Sequence, residues 1–237
     1  EITTRLVGSE MCIRDSDSCD PVEFEAFIKE HPGSTVVSYV NTSAAVKALT
    51  DVVVTSSNAR QIVEALPADA KIIFGPDRNL GSYISSTTGR EMTIWNGACH
   101  VHEQFSLEKI VELKKDHPRA RLLVHPECRK SVVILADKVG STAALLKYAR
   151  ESDAKEFIVA TESGILHEMQ KSCPEKVFIP APPEDSTCGC NDCNFMKLNT
   201  LRKLRDCLRH ELNPVEVDPA LAARALRPIE RMLELSK

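Results

Sequence analysis

Long apolar runs are what this sequence most clearly lacks. Its apolar runs, such as Val52-Val-Val54 and Ser131-Val-Val-Ile-Leu-Ala136, fall far short of the about 20 residues a membrane-crossing helix needs. The opening residues Glu1–Leu6 carry no apolar core of the kind a secretory signal has. An excess of one charge is lacking as well. A net charge of −4 gives no general attraction to nucleic acid or to an anionic membrane, and neither partner is expected. No low-complexity tract interrupts the chain. A soluble, cytoplasmic protein is the expectation, with 43% hydrophobic and 27% charged residues supporting a globular core.

Cysteine, by contrast, is plentiful. Nine cysteines, an odd number, are spread unevenly over 237 residues. Disulfide frameworks belong to small secreted domains, and a chain of this length buries a core without one. Clustered cysteines then point to metal binding or redox chemistry.

The chain also repeats itself. Tyr39 closes the run Thr35–Tyr39, and His125 closes the run Arg121–His125, 86 residues later. The same separation carries Ser56 to Thr142, Lys71–Phe74 to Phe157–Ala160, and Met92–Ile94 to Phe178–Pro180. Two similar β/α units follow one another with almost no net insertion. Their matching polar positions fall just beyond the carboxyl ends of strands, where open α/β sheets bind ligands.

Strands are expected at 35–40, 52–55, 71–74, 92–95, 121–125, 156–160 and 177–180. Helices are expected at 22–30, 43–49, 58–65, 106–115, 129–138, 141–151 and 164–171. Two terminal helices, 196–211 and 218–236, are split by Asn213-Pro214, and Pro228 is a candidate kink in the second. This alternation gives parallel sheets with right-handed crossovers, an α/β fold of repeated αβα layers. Residues 1–16 follow neither helical nor strand period and read as a foreign segment.

Several motifs could carry chemistry. Trp95-Asn-Gly-Ala-Cys99-His-Val-His102 sets a thiol and two imidazoles beyond a strand. Cys-x-x-His is half of a zinc site, or a small buried cysteine beside a structural histidine. Cys188-Gly-Cys190-Asn-Asp-Cys193 places three thiols within six residues, which ligation or redox pairing explains better than packing. His125-Pro-Glu127-Cys128 offers an anion-binding imidazole and a general base, or merely a turn fixed by Pro126. Gly140-Ser-Thr142 and Thr55-Ser56-Ser-Asn58 precede helices and suit phosphate or carboxylate, or act only as caps. Thr161-Glu162-Ser-Gly164 and Gly75-Pro-Asp77-Arg78 are weaker candidates at strand ends.

Taken together, Tyr39-Val-Asn-Thr-Ser-Ala-Ala-Val-Lys47, Gly75-Pro-Asp-Arg-Asn-Leu-Gly81, Trp95–His102, His125–Cys128, Ala136-Asp-Lys-Val-Gly-Ser-Thr142, Thr161–His167 and Cys193-Asn-Phe-Met-Lys-Leu-Asn-Thr-Leu201 resemble the quinolinate synthase family from about Asp17 to the C-terminus. The resemblance implies pseudo-equivalent three-layer αβα domains around a [4Fe-4S] cluster, two of the family's three domains being present here. Residues 17–102 would be the second, 103–199 the third, and the helices of 200–237 would pack on the absent first. It implies condensation of iminoaspartate with dihydroxyacetone phosphate, giving quinolinate for NAD biosynthesis, with L-aspartate oxidase or aspartate dehydrogenase as functional partner. By motif, Cys99 and Cys193 match cluster ligands. Tyr39, Asn41, Ser56, His125, Glu127 and Thr142 match the substrate-binding set, with Glu127, His125 and Tyr39 the catalytic candidates and His102 a neighbouring one.

Two departures stand out. The third cluster cysteine is expected six residues before Cys19, at position 13, where this chain has isoleucine; Cys12 is one residue out of register. Asn194 stands where the family usually has proline. A truncated, inactive chain is therefore expected. The alternative is a non-catalytic metal-binding or redox module built on Cys188, Cys190 and Cys193.

Overall fold

Short β-branched runs become strands; the inner ones are buried on both faces by flanking helices, while the edge runs Met92–Ile94, Lys138–Val139 and Val177–Pro180 stay partly exposed. The computed structural model describes residues 18–185, 191–212 and 214–237. They divide into two units, one running to Gly97 and resuming at Asn194, the other spanning Ala98–Cys193.

The first unit alternates α1 (Pro21–Lys29), β1 (Thr35–Tyr39), α2 (Ala44–Lys47), β2 (Val52–Val54), α3 (Ala59–Ala65), β3 (Ile72–Gly75), α4 (Arg78–Thr88) and β4 (Met92–Ile94). Its sheet is parallel throughout, in the order β2-β1-β3-β4. Caps define the helices: Asp20 accepts from Val22 and Glu23, Ser43 from Val46, and Asp77 from Leu80. Val37, Tyr39, Ile72 and Phe74 face one core; Val36 and Ile73 face the other, beneath Phe24.

The second unit runs α5 (His100–Glu103), α6 (Leu107–Asp116), β5 (Arg121–Val124), α7 (Lys130–Val133), β6 (Lys138–Val139), α8 (Thr142–Glu151), β7 (Glu156–Ala160), α9 (Gly164–Ser172) and β8 (Val177–Pro180). Its sheet repeats the first: parallel, in the order β6-β5-β7-β8. Leu122, Val124, Ile158 and Ala160 face one core, and Leu123, Phe157 and Val159 the other.

The ladders refine the repeat. Thr35 pairs with Ile72, and Arg121, 86 residues on, pairs with Phe157. The third strands therefore correspond at a separation of 85, so Ile72 rather than Lys71 matches Phe157. Burial agrees, since Ile72 and Phe74 face the same core as Val37, as Phe157 and Val159 do with Leu123. A separation of 86 would turn every side chain of that strand to the wrong face.

Several elements differ from expectation, the short helix α5 among them. Helix α4 occupies residues left between strands, and the stretch 129–138 is a single turn, α7, followed by the start of edge strand β6. After the second unit come α10 (Asn194–Lys197), α11 (Leu201–His210) and α12 (Pro219–Leu235). Helix α12 continues through Pro228, whose ring is buried, and packs on α2, β2 and α3. Helix α11 exposes Leu201, Leu204 and Leu208. No helix among the described residues is long and apolar enough to cross a membrane.

Candidate active site and metal centre

The turn that follows β5 carries the chemistry of the second unit. Beyond Val124 the chain makes a tight His125–Cys128 turn, in which the Cys128 N–H donates to the His125 carbonyl at 3.0 Å. This leaves His125 and Glu127 at the carboxyl edge of the sheet. Helix α5 brings His102 against them. His102 Nδ1 lies 2.9 Å from Glu127 Oε2, and His125 Nδ1 lies 3.5 Å from the same oxygen. The two imidazoles stack with centroids 4.6 Å apart and planes 24° apart. Exposures of 7% for His102, 4% for His125 and 5% for Glu127 leave water little part in these contacts.

The far side of His102 is also held. Its Nε2 is 3.1 Å from Thr161 Oγ1, at the end of β7. The Cys99 thiol, the His102 imidazole and a Glu127 carboxylate oxygen lie within 4.8 Å of one another. Cys99 is half-buried, at the N-cap of α5.

Their neighbours, and not burial, set the two histidines apart in charge. Desolvation lowers the His125 pKa to about 4, and Glu127 only partly opposes this. His125 is therefore neutral near pH 7. Its Nδ1 accepts from the Glu127 N–H at 3.4 Å, which puts its proton on Nε2. Desolvation also pulls His102 down, but Cys99 and Glu127 together outweigh it, and its pKa rises well above the usual imidazole range. The cation of the site is thus His102, while His125 is a neutral hydrogen-bonding group. Cys128, buried under the same turn, is pushed up to about 12 chiefly by desolvation and stays a thiol.

Cys193 closes the second unit and is half-buried. Its N–H donates to Glu162 Oε1 at 3.4 Å, and Glu162 Oε2 accepts the Gly164 N–H at 2.8 Å. Ser163 bonds to Asp192 through its hydroxyl, and its N–H donates to the Asn191 carbonyl at 3.2 Å. The turn after β7 therefore tethers both halves of the expected ligand pair, His102 of the Cys99 segment through Thr161 and Cys193 through Glu162. Thr161 and Glu162 were legible only as strand-end polar residues. Cys12, Cys188 and Cys190 lie outside the described residues.

The remaining candidates sit at the corresponding edges. Tyr39 ends β1 and packs in the core of the first unit. Asn41 and Ser56 are half-buried in the turns after β1 and β2. Thr142 is exposed at the first turn of α8, where Ser141 makes the cap by accepting from Ala144. In the second unit the structure brings His125 and Glu127 together with His102 and Cys99. Thr142 follows the neighbouring strand β6, where the Gly140 N–H donates to the Val124 carbonyl at 3.1 Å. In the first unit Val40 N–H donates likewise to Val54 O at 2.8 Å, which aligns the turns after β1 and β2. A cleft in that unit lined by His31, Ser34, Lys71 and Thr93 opens at the amino ends of the strands, the wrong edge for ligand chemistry in such sheets.

Thiolate, imidazole and carboxylate are borderline-soft donors that suit zinc or iron better than magnesium or calcium. For an iron–sulfur cluster the donors fit in kind. Two of the expected thiols, Cys99 and Cys193, are among the described residues; the expected third position, 13, is isoleucine.

Comparison with known proteins gives a consistent result. The family model described as quinolinate synthetase A protein matches residues 11–234, beginning inside the segment that reads as foreign. The quinolinate synthase of Synechococcus sp. is 51% identical over 221 residues, covering 93% of this chain and 69% of the relative. That of Chloroherpeton thalassium is 52% identical over 222 residues, covering 94% of this chain and 69% of the relative. That of Microcystis aeruginosa is 52% identical over 221 residues, with coverage of 93% and 69%.

Proposed function

This chain belongs to the quinolinate synthetase A family, and on that footing we propose that it serves the reaction its relatives are named for. The reaction is condensation of iminoaspartate with dihydroxyacetone phosphate to quinolinate, with loss of phosphate and water. It would run in the cytoplasm on the route to NAD, with iminoaspartate supplied by an oxidase or dehydrogenase acting on aspartate. The observation that carries the reading is the buried His102–Glu127–His125 set beside the Cys99 thiol. A structural zinc knuckle has no use for a carboxylate between two stacked imidazoles of opposite protonation preference.

In this reading Cys99 and Cys193 hold two corners of a [4Fe-4S] cluster. When bound with one iron open, such a group supplies a Lewis acid for carboxylate or carbonyl oxygens. The chain's own residues do the rest. Glu127 takes a substrate proton, and its position against the His102 imidazolium stabilises the carboxylate between transfers. His125, neutral, donates from Nε2 to a substrate oxygen. Tyr39, Asn41 and Ser56 in one unit, and Thr142 in the other, bind substrate carboxylate and phosphate. Thr161 and Glu162 position His102 and Cys193 without touching substrate.

The chain by itself is expected to turn over little or not at all, because the described residues offer two cluster thiols where three are expected. The test is anaerobic reconstitution with iron and sulfide, followed by iron and acid-labile sulfide counts per chain, on this chain and its Cys193→Ala variant. Iron and sulfide near four each, lost in the variant, support the cluster reading. Zinc binding with no iron–sulfur incorporation, even after a family-like first domain is supplied, overturns it.

A further inference from the structure

The Cys99, His102 and Glu127 side chains make a set that does not need a cluster to bind metal. We propose that, in the cluster-free chain, these three residues form a mononuclear site for a borderline divalent cation, with zinc(II) the expected occupant. The inference goes beyond the proposed reaction, although it uses one of the same thiols.

Four observations carry it. Three donor atoms of three kinds, Sγ, imidazole N and carboxylate O, lie within 4.8 Å of one another. A tetrahedral zinc ion with bonds of about 2.0–2.3 Å sets its ligand atoms roughly 3–4 Å apart, so small side-chain movements close the site. The donors come from two separate elements, since Cys99 and His102 flank the first turn of α5 while Glu127 stands on the turn after β5. A cation between them is therefore gripped from both sides. His102 Nδ1 is 2.9 Å from Glu127 Oε2 yet makes no hydrogen bond of good alignment among the described residues. A buried imidazole nitrogen and carboxylate oxygen this close are suited to share a third centre.

The fourth observation is the support behind the ligand. His102 Nε2 is held by Thr161 Oγ1 at 3.1 Å, so the ring presents Nδ1 to the site. Zinc-binding histidines are oriented in this way by a partner on their other nitrogen. His125 is not counted as a ligand, because its Nδ1 already accepts from the Glu127 N–H. Three protein ligands leave a fourth position for water or a small anion, the pattern of an open site rather than a closed structural one. Sulfur, nitrogen and oxygen together favour zinc, cobalt or iron(II) over magnesium and calcium.

Cobalt(II) tests the proposal directly, because thiolate ligation adds a near-ultraviolet charge-transfer band to the visible bands of a tetrahedral ion. The full 237-residue chain is stripped of metal under anaerobic reducing conditions and titrated with cobalt(II), then with zinc(II). One cobalt per chain, with the thiolate band and displacement by zinc, is expected. Cys99→Ser should abolish the band. His102→Gln and Glu127→Gln should each weaken binding at least 100-fold or so, and Thr161→Val about 10-fold. Cys193→Ser should leave the spectrum unchanged. Amide hydrogen exchange on each variant verifies that the second unit is folded. Thr161→Val, which keeps all three ligands, tests the site should the ligand variants unfold.

A thiolate band that survives Cys99→Ser overturns the proposal. So does a band lost in Cys193→Ser, which would put the metal on the Cys188–Cys193 cluster, and so does the absence of a thiolate band at millimolar cobalt. Iron–sulfur reconstitution is scored separately. Cobalt binding without cluster formation, even after a family-like first domain is supplied, would defeat the reaction reading alone, and cluster formation without cobalt binding would defeat this one alone.

Discussion

Replacing Asp137 tests whether the 86-residue repeat is built from equivalent physical contacts. Asp137 Oδ2 accepts the Leu122 N–H at 2.7 Å, and its own N–H donates to the Leu122 carbonyl at 2.9 Å. In the first unit Asp51 Oδ2 accepts the Val36 N–H at 2.7 Å, and its N–H donates to the Val36 carbonyl at 2.9 Å. Each aspartate latches the edge of its sheet just before the second strand. Leu122 is fully buried, so in Asp137→Ala its N–H loses its acceptor with little water to replace it. That costs about 1–3 kcal/mol. The ion pairs to Lys114 at 3.1 Å and Arg121 at 2.8 Å are partly exposed, and each adds only about 0.2–1 kcal/mol. The expected loss is therefore about 1–5 kcal/mol. Asp137→Asn keeps an oxygen for the Leu122 N–H and should lose about 1 kcal/mol.

The pH dependence has a definite sign. Desolvation raises the Asp137 pKa, but the Leu122 N–H, Arg121 and Lys114 outweigh it and hold the carboxyl below its usual range. A depressed folded pKa contributes stability fully above the unfolded value of about 3.9, and loses it as pH falls through the folded pKa. The gap between wild type and Asp137→Ala should thus narrow in acid. Urea unfolding followed by amide exchange over residues 121–124 reads the second unit, whereas the lone tryptophan, Trp95, reads the first. A loss below about 0.5 kcal/mol in Asp137→Ala, the range of an ordinary surface change, would refute the latch.

Three further perturbations follow. In Gly97→Ala the added Cβ would stand 2.5 Å from the Pro76 carbonyl oxygen and 3.0 Å from that of Ser18. The backbone must shift, and a loss of about 1–3 kcal/mol is expected in urea titrations followed by Trp95 fluorescence. In Lys176→Met the carbonyls of Ala149 and Ser152 lose the buried ammonium that reaches them at 2.7 and 2.6 Å. We expect about 2–4 kcal/mol of destabilisation, with faster amide exchange at the end of α8. His125 folds as a neutral imidazole with its pKa lowered to about 4. The unfolded chain takes up that proton first, so stability should fall as pH drops from about 6.5 to about 4. The urea midpoint of His125→Gln should be less sensitive to pH across that window.

Much of the fold was legible because β-branched runs recur at a fixed spacing. What escaped was held by contacts distant in sequence. Helix α4 reads poorly since Ser85, Ser86, Thr87 and Thr88 disfavour helix interiors and Gly81 weakens the pattern. In the structure Ser86, Thr87 and Thr88 bond back to the carbonyls of Ser82, Tyr83 and Ile84. Gly81 lets the helix lie close on the sheet, where an added Cβ would stand 2.9 Å from Phe74 and 3.0 Å from Ile94. Asp77 and the left-handed Gly89 cap its ends. Strand β6 has two residues, too few for a period. In the site, the repeat pointed to His125 and Glu127, but the charge on His102 depends on the nearby Cys99 and on a carboxylate, Glu127, from an element distant in sequence. The paired Asp51 and Asp137, by contrast, were in view at the same 86-residue spacing, and the pattern of polar strand ends drew attention away from them.

The repeat conserves position without conserving charge, and that difference bears on the proposed reaction. Tyr39, Asn41 and Thr42 stand where the second unit has His125, Glu127 and Cys128. In the first unit the turn is filled by the Lys47 ammonium, which donates to the Val40 carbonyl at 2.8 Å and to the Thr42 carbonyl. The position 86 residues after Lys47 is Val133, an apolar residue packed against the core of the second unit. One strand end thus holds a fixed cation under neutral hydrogen-bonding side chains, and the other holds a buried carboxylate between two imidazoles. A fixed cation with neutral donors suits the phosphate and carboxylates of the proposed substrates, which must be held while their charge persists. A carboxylate flanked by one charged and one neutral imidazole suits the proton transfers, since the imidazolium holds it ionised and ready to accept a proton. The two units keep one backbone plan, with polar strand ends where ligands reach a parallel sheet, and their difference in charge matches the two proposed roles, because holding an anion and moving a proton need opposite electrostatics.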